Sequence, residues 1–182
     1  MPVWEFEPGH TSAEFAVRHM MVTIVRGQFK NLKGRFHFDP HDPAGCSVEA
    51  TIDAASFTTA EPDRDAHLRS ADFLDVANHP TITFKSTSVV PAGTDRYTLT
   101  GDLTIKGITH PVTLQVIKYG EFNDPMMGHR IAYSAQGQIN RKEFGLSFNM
   151  MLDGKVVVSD EIQIMIEGEL VEQKEAAETA SA

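Results

Sequence analysis

Cysteine occurs once in these 182 residues, at Cys46, which excludes an internal disulfide and any metal site built from several thiolates. Cys46 stands near an expected strand start and reads as an inert thiol. No run reaches the roughly 18 apolar residues that a membrane-spanning helix needs, so stable membrane insertion is not expected. Basic residues are the minority: 16 Lys and Arg against 25 Asp and Glu give a formal charge of −9. That balance argues against nucleic acid, whose phosphates call for clustered Lys and Arg, and against steady residence on an anionic membrane. The opening MPVWEFEPGHTS carries no basic segment, apolar stretch or small-residue cleavage site. A cytoplasmic location is expected, and a periplasmic one only if a signal peptide was trimmed.

Catalytic motifs are missing too. There is no G-x-S-x-G, no H-E-x-x-H, no P-loop and no G-x-G-x-x-G. The eight histidines are scattered, and none pairs with a carboxylate at metal-ligand spacing. No metal site and no catalytic residue is therefore assigned. DPHD (39–42) looks like a ligand cluster but reads as a turn, and Met126-Met127 and Met150-Met151 read as adaptable apolar filler.

What recurs is alternation at a period of two. It runs through Phe15 and Val17 in 12–19, Phe29 in 27–39 with a bulge expected near Asn31, and Val48, Ala50 and Ile52 in 47–54. It continues through Ile82 and Phe84 in 81–89, and through Tyr97, Leu99, Leu103 and Ile105 in 96–107. Val112, Leu114 and Val116 follow in 111–119, then Ile131, Tyr133, Ala135 and Ile139 in 130–140. Ile162, Ile164, Ile166 and Leu170 complete the pattern in 161–171. Turn chemistry at 39–45, 90–95, 106–111, 123–128 and 152–155 separates these segments. The fold class is all-β: about eight antiparallel strands, closed as a barrel that removes exposed edges or stacked as a two-sheet sandwich. Residues 1–171 form one domain, and 172–182, with no apolar face, are expected to be a disordered tail.

One segment breaks the pattern. RDAHLRSADFLD (64–75) is dense in charge, with Leu68, Ala71 and Leu74 at helical spacing, and reads as a short helical insert. Its Arg64 and Arg69, set among Asp63, Asp65 and Asp72 and beside His67, suggest an ion-pair network that fixes a loop to the barrel rim. A polar collar for a ligand head group is the second reading.

Four stretches together resemble the YceI-like family. They are HTSAEFAVRHMMVTIVRGQFKNLKGRFHFD (10–39), TTAEPDRDAHLRSADFLDVANHPTITFKST (58–87), TGDLTIKGITHPVTL (100–114) and INRKEFGLSF (139–148). The match departs at Leu74, where the motif often has a second Phe, and in the signal peptide that many members carry. The resemblance implies a lipocalin-like eight-stranded antiparallel barrel with the helical insert around 64–75, and in some members a polyisoprenoid chain inside it. It further implies an amphiphilic lipid partner, sometimes an isoprenoid quinone, no cofactor beyond such a lipid, and a homodimer in some members.

On that reading the residues facing the lumen or its mouth are Phe15, Val17, His19, Phe29, Ala50, Ile52, Leu68, Phe73, Ile82, Phe84, Leu99, Leu103, Ile105, Tyr133, Ala135, Phe144 and Ile164. Small residues, Ala50, Gly101, Ala135 and Gly137, leave room in the lumen, or else mark bulges or tight bends in a filled core. Burying roughly 40 carbons would give about 30 kcal/mol gross, above the ceiling near 20 kcal/mol for non-covalent binding. The competing home of such a chain is a bilayer, so transfer between the two is close to thermoneutral, and selectivity falls to lumen length and polar groups. The function expected is non-enzymatic binding, transport or sequestration of that lipid. Two alternatives compete with it: an enzyme using His10, His19 or His67 as acid or base, and a filled-barrel interaction module.

Overall fold

Residues 1–39 and 41–173 are described by the computed structural model. The chain opens with β1 (Val3–Phe6) and β2 (Ser12–His19), separated by a 3-10 turn at Pro8–His10. β3 (Thr23–Phe29), β4 (Leu32–His37), β5 (Ser47–Asp53) and β6 (Phe57–Thr58) follow, then the helix α1 (Pro62–Arg69). β7 (Thr81–Gly93), β8 (Arg96–Ile105), β9 (Ile108–Asp124) and β10 (Gly128–Asn140) form a meander. A 3-10 turn at Arg141–Phe144 leads into a small hairpin of β11 (Met151–Leu152) and β12 (Lys155–Val156), and β13 (Val158–Gln173) ends the fold.

All pairings are antiparallel, and they close. Around the ring the order is β1-β4-β5-β7-β8-β9-β10-β13, and β13 returns to β1 with Leu170 opposite Phe6. That closure makes the molecule a barrel and rules out the sandwich. β13 serves two partners in succession, β2 along Val158–Glu167 and β1 along Leu170–Gln173. β1 and β2 are thus one barrel stave broken by the turn at Pro8. β3 and β4 form a second broken stave and β5 and β6 a third, since β3 pairs with β2 and β6 while β4 pairs with β1 and β5. The count of eight holds once the broken pieces are joined.

Several expectations need correction. The segment 27–39 is not one bulged strand; the chain leaves one ladder at Lys30 and enters another at Leu32, so a break replaces the bulge. β1 was not foreseen, being only four residues long. Strand pairing also runs through Val90–Gly93 and Ile108–Pro111, so the turns there shrink to Thr94-Asp95 and Lys106-Gly107. At the C-terminus β13 continues through Glu172 and Gln173, two residues past the expected boundary. The rest of the expected tail, from 174, lies outside the described residues.

The insert is shorter and starts earlier than 64–75. Glu61 caps it by accepting from the Asp63 N–H, Pro62 takes the first helical position, and Ser70 ends it in an extended conformation. Asp63 and Asp65 in the first turn and His67 and Arg69 in the last suit the helix dipole. Residues 70–75 continue as turns, so Ala71 and Leu74 owe their positions to those turns, not to a helix face.

Candidate functional site

Inside the barrel the inward side chains of the staves leave a cavity of about 350 Å3. At roughly 10–15 Å3 of such space per water-sized group, it has room for on the order of 25–35 heavy atoms. Sixteen of the seventeen residues named from the sequence line it, from Phe15, Val17 and His19 on β2 to Ile164 on β13. Phe144 does not. It is fully buried on the 3-10 turn after β10, its ring edge-on to His110 at 5.5 Å, and it packs in the apolar cluster that includes Ile105, Ile139 and Leu146.

The small residues divide. Ala50 and Ala135 do face the cavity. Gly101 and Gly137 leave it no space: a Cβ at Gly101 would lie 2.4 Å from the Phe84 ring, and one at Gly137 2.5 Å from Leu114. Each glycine seats a large side chain from a neighbouring strand, and the same device holds Phe15 over Gly27 and Phe6 over Gly34. These glycines pack the wall and leave no room, and Gly101 also stands opposite the bulge of β7 at Ser86–Ser88.

Wall residues that the sequence reading passed over include Phe6, Phe36, Tyr97, Ile131, Lys118 and Arg141. Tyr97 and Ile131 share the alternation that placed their neighbours inward, so the signal was there. Phe36 was obscured by the break at Lys30. Arg141 stands in the INRKEFGLSF stretch, where no alternation at a period of two marks the direction of its side chain.

One end of the cavity lies beneath an apolar plug. Trp4, Phe36, Ile131 and Leu170 are buried together, with Phe6, Phe38 and Tyr133 packed against them. Outside the plug His129 meets the Trp4 ring edge-on at 4.8 Å and holds Glu172 through Nδ1 (2.6 Å) and Glu121 through Nε2 (2.7 Å). Partial burial opposes a charge on this imidazole, but the two carboxylates outweigh it and raise its pKa. The same site lowers the Glu121 pKa, chiefly through the hydrogen bond from Lys118.

At the other end the insert contributes Arg64 and Leu68, and the turns after it Phe73 and Leu74, to the wall. The expected ion-pair network is absent there: among the described residues neither arginine pairs with an aspartate. Arg64 donates to the hydroxyl and carbonyl oxygens of Thr59, and Arg69 to the carbonyls of Ala55 and Phe57 while lying over the Phe57 ring at 4.7 Å. Asp65 is buried and accepts from the Thr59 N–H and from the hydroxyls of Thr58 and Thr59. Burial would raise its pKa; these donors, with the field of Arg69, lower it instead. Open backbone groups around the two-residue strand β6 attract the polar side chains more strongly than the side chains attract one another. His67 does bind Asp72, at 2.9 Å, and packs on Phe73 and Phe148.

Arg141 organises the same end. It is 2% exposed and donates to the carbonyls of Leu146, Phe148, Val158 and Ser159, with Asp160 at 3.5 Å. His10 contacts Glu169, His19 lies on the cavity wall, and among the described residues no two of His10, His19 and His67 share a hydrogen-bond partner. Among the described residues no three His, Cys, Asp or Glu side chains converge as a metal site would require, and no helix is long and apolar enough to cross a membrane.

A closed antiparallel barrel of eight staves around an apolar cavity places the molecule in the lipocalin-like class of barrels. Within that class the chain belongs to the YceI-like domain family, whose family model matches residues 4–170. Protein YceI of Escherichia coli O157:H7 is 39% identical over 168 residues, which span 92% of this chain and 85% of that protein. Among solved structures, Burkholderia cenocepacia BcnA superposes with a TM-score of 0.80 at 27% identity, over 90% of this chain and 98% of its own. A polyisoprenoid binding domain from Saccharophagus degradans shares the fold with a TM-score of 0.67 at 14% identity, over 93% of this chain and 98% of its own.

Proposed function

We propose that this protein binds a long-chain isoprenoid, including isoprenoid-quinone-type amphiphiles, in the barrel lumen and carries or sequesters it without catalysing a reaction. The observation that carries this reading is the continuous apolar wall from Leu68 to Ile131 around a cavity of about 350 Å3. A native core is packed without voids of this size, because each unfilled volume forfeits dispersion contacts. The space is that of a chain of roughly five to seven five-carbon units at one water-sized group per carbon. The Saccharophagus degradans domain, described as polyisoprenoid binding, supports the ligand class by fold.

Native mass spectrometry with all-trans prenyl alcohols of three to ten units tests it. Retention should peak near five to seven units, with one chain per protein. Indifference to chain length, or no uptake at all, would overturn the reading.

A further inference from the structure

Large apolar side chains left in water as a group mark a surface that meets something. One such group stands at the insert end. Met20, Met21 and Val22 lie on the β2–β3 turn, and Met150 and Met151 lead into the β11–β12 hairpin; all five are 47–79% exposed. The Met20 N–H donates to the Val157 carbonyl at 2.7 Å and the Val157 N–H to the Met150 carbonyl at 3.1 Å, so the two loops adjoin. Their turn holds its methionines at a cost, since Met20 and Met21 both have positive φ, a conformation that asparagine and glycine adopt far more readily. The loops also border the lumen. His19 and Val158 pair across β2 and β13, each one residue from that contact, and both line the cavity. Beside them Thr23–Gly27 of β3 have no second strand among the described residues, because β6 reaches only Gln28 and Phe29. Val25, in the middle of that open edge, lines the cavity too.

We propose that these two loops are a docking surface for an anionic lipid bilayer, their apolar side chains entering the head-group layer while Arg18 and Arg26 meet lipid phosphates. This rests on the lumen reading above and adds where the bound chain is taken up and given back. Charge selects the bilayer. From Phe15 to Phe38 the sequence carries Arg18, Arg26, Lys30, Lys33 and Arg35 and no carboxylate, although the net charge is −9. Arg18 and Arg26 are exposed and, among the described residues, make no ion pair or side-chain hydrogen bond. A second copy meeting this surface about a two-fold axis would set these arginines against their own kind. On the adjoining segments Asp160 is held by Lys142 at 2.9 Å and Asp72 by His67 at 2.9 Å, and Asp153 at the hairpin tip is followed in sequence by Lys155. The plugged end gives a contrast. Phe122, Met126 and Met127 are exposed there as well, but Glu121 and Asp124 stand among them, and Asp124 accepts from the N–H groups of both methionines. A few inserted side chains and two arginines hold a protein of negative net charge only briefly, which suits loading and release.

The test is vesicle flotation of the full chain, with vesicles of phosphatidylcholine alone and of equal parts phosphatidylcholine and phosphatidylglycerol. The native protein should float with the mixed vesicles and far less with the neutral ones. Met21→Asn with Val22→Ser should weaken that binding about tenfold or more, the worth of one or two inserted side chains. Both positions are exposed and asparagine tolerates positive φ, so this variant should melt no lower than the native protein. Arg18→Gln with Arg26→Gln should erase the preference for mixed vesicles, by roughly fivefold per arginine. Met126→Ser with Met127→Ser, at the plugged end, should change nothing. Farnesol presented in solution and read by native mass spectrometry should enter the native protein and the Met21/Val22 variant equally. No flotation of the native protein, or an equal loss from the Met126/Met127 variant, would overturn the surface. A native dimer in sedimentation that the Met21/Val22 variant abolishes would assign the surface to a second copy and overturn the bilayer. Flotation of a protein that takes up no farnesol would uphold the surface and overturn the lumen reading alone.

Discussion

At one end of this barrel four apolar side chains, Trp4, Phe36, Ile131 and Leu170, are buried against one another, with charge held outside them by His129. At the other, closure depends on polar side chains spent on backbone: Arg141 on four carbonyls, Arg64 and Arg69 on the β5–β6 region, Asp65 on Thr59. The difference follows from the ladders. Near the plug β1 pairs with β4 over Val3–Glu5 and with β13 over Val3–Phe6, and β10 pairs with β13 from Arg130 onward. At the insert end β6 has only two residues and the chain between β10 and β13 leaves the ring, so carbonyls need donors from side chains. Where the chain leaves the ring, side-chain donors take up the carbonyls that no neighbouring strand reaches.

The largest break in that comparison should come from Arg141→Met, which removes the donors of four carbonyls from a dry site. A loss of about 3–5 kcal/mol is expected in urea unfolding. A loss below about 1 kcal/mol would mean that water replaces the guanidinium and the end is less closed than described. Next comes the space between the two ends. Ala50→Phe should fill the middle of the lumen and weaken prenyl-chain binding by at least tenfold. Overpacking there costs roughly 1–3 kcal/mol of stability. Binding that survives this change would place the chain elsewhere.

A smaller effect, of opposite sign, is expected at the β2–β3 turn. Val22 N–H closes it onto the His19 carbonyl, and both central residues, Met20 and Met21, have positive φ, 53° and 61°. Lys106-Gly107 and Asp153-Gly154 make two-residue turns with φ positive at both residues, each with a glycine in second place. Replacing Met20-Met21 by Asn-Gly should therefore stabilise the protein by about 1–2 kcal/mol, measured by thermal unfolding. Unchanged binding would make the strain incidental; weakened binding would tie the exposed methionines to ligand entry. The smallest effect concerns His129. Because its folded pKa is raised, its contribution is fully present below the ordinary value near 6.5 and fades as pH rises through the folded value. His129→Gln should flatten that part of the stability profile by up to about 1 kcal/mol, the range of a partly exposed ion pair. A variant with the same slope would show that the two carboxylates do not hold a proton on the ring.

Much of this was legible in the sequence. Alternation at a period of two placed Leu99, Leu103 and Ile105 on the wall because one face of each stave is buried and the other wet. It failed where the ladder breaks, at Lys30-Asn31 and over the four residues of β1, since a short segment carries too little periodicity. The insert shows a second limit. Composition announced its charges, but their partners are backbone carbonyls and threonines that only the tertiary fold brings near. Gly101 and Gly137 show a third: a missing side chain reads as empty space until the ring or leucine that fills it is seen. Tyr133 was named as a wall residue, yet nothing in the sequence could show that its buried hydroxyl lacks a partner among the described residues.

The central claim is that the lumen is a chain-binding space. A crystal structure of the protein incubated with geranylgeranylacetone tests it most directly. The account predicts density for one chain along Ala50, Leu99 and Ala135. A lumen closed by inward-collapsed side chains, or a chain bound outside the barrel, would contradict it.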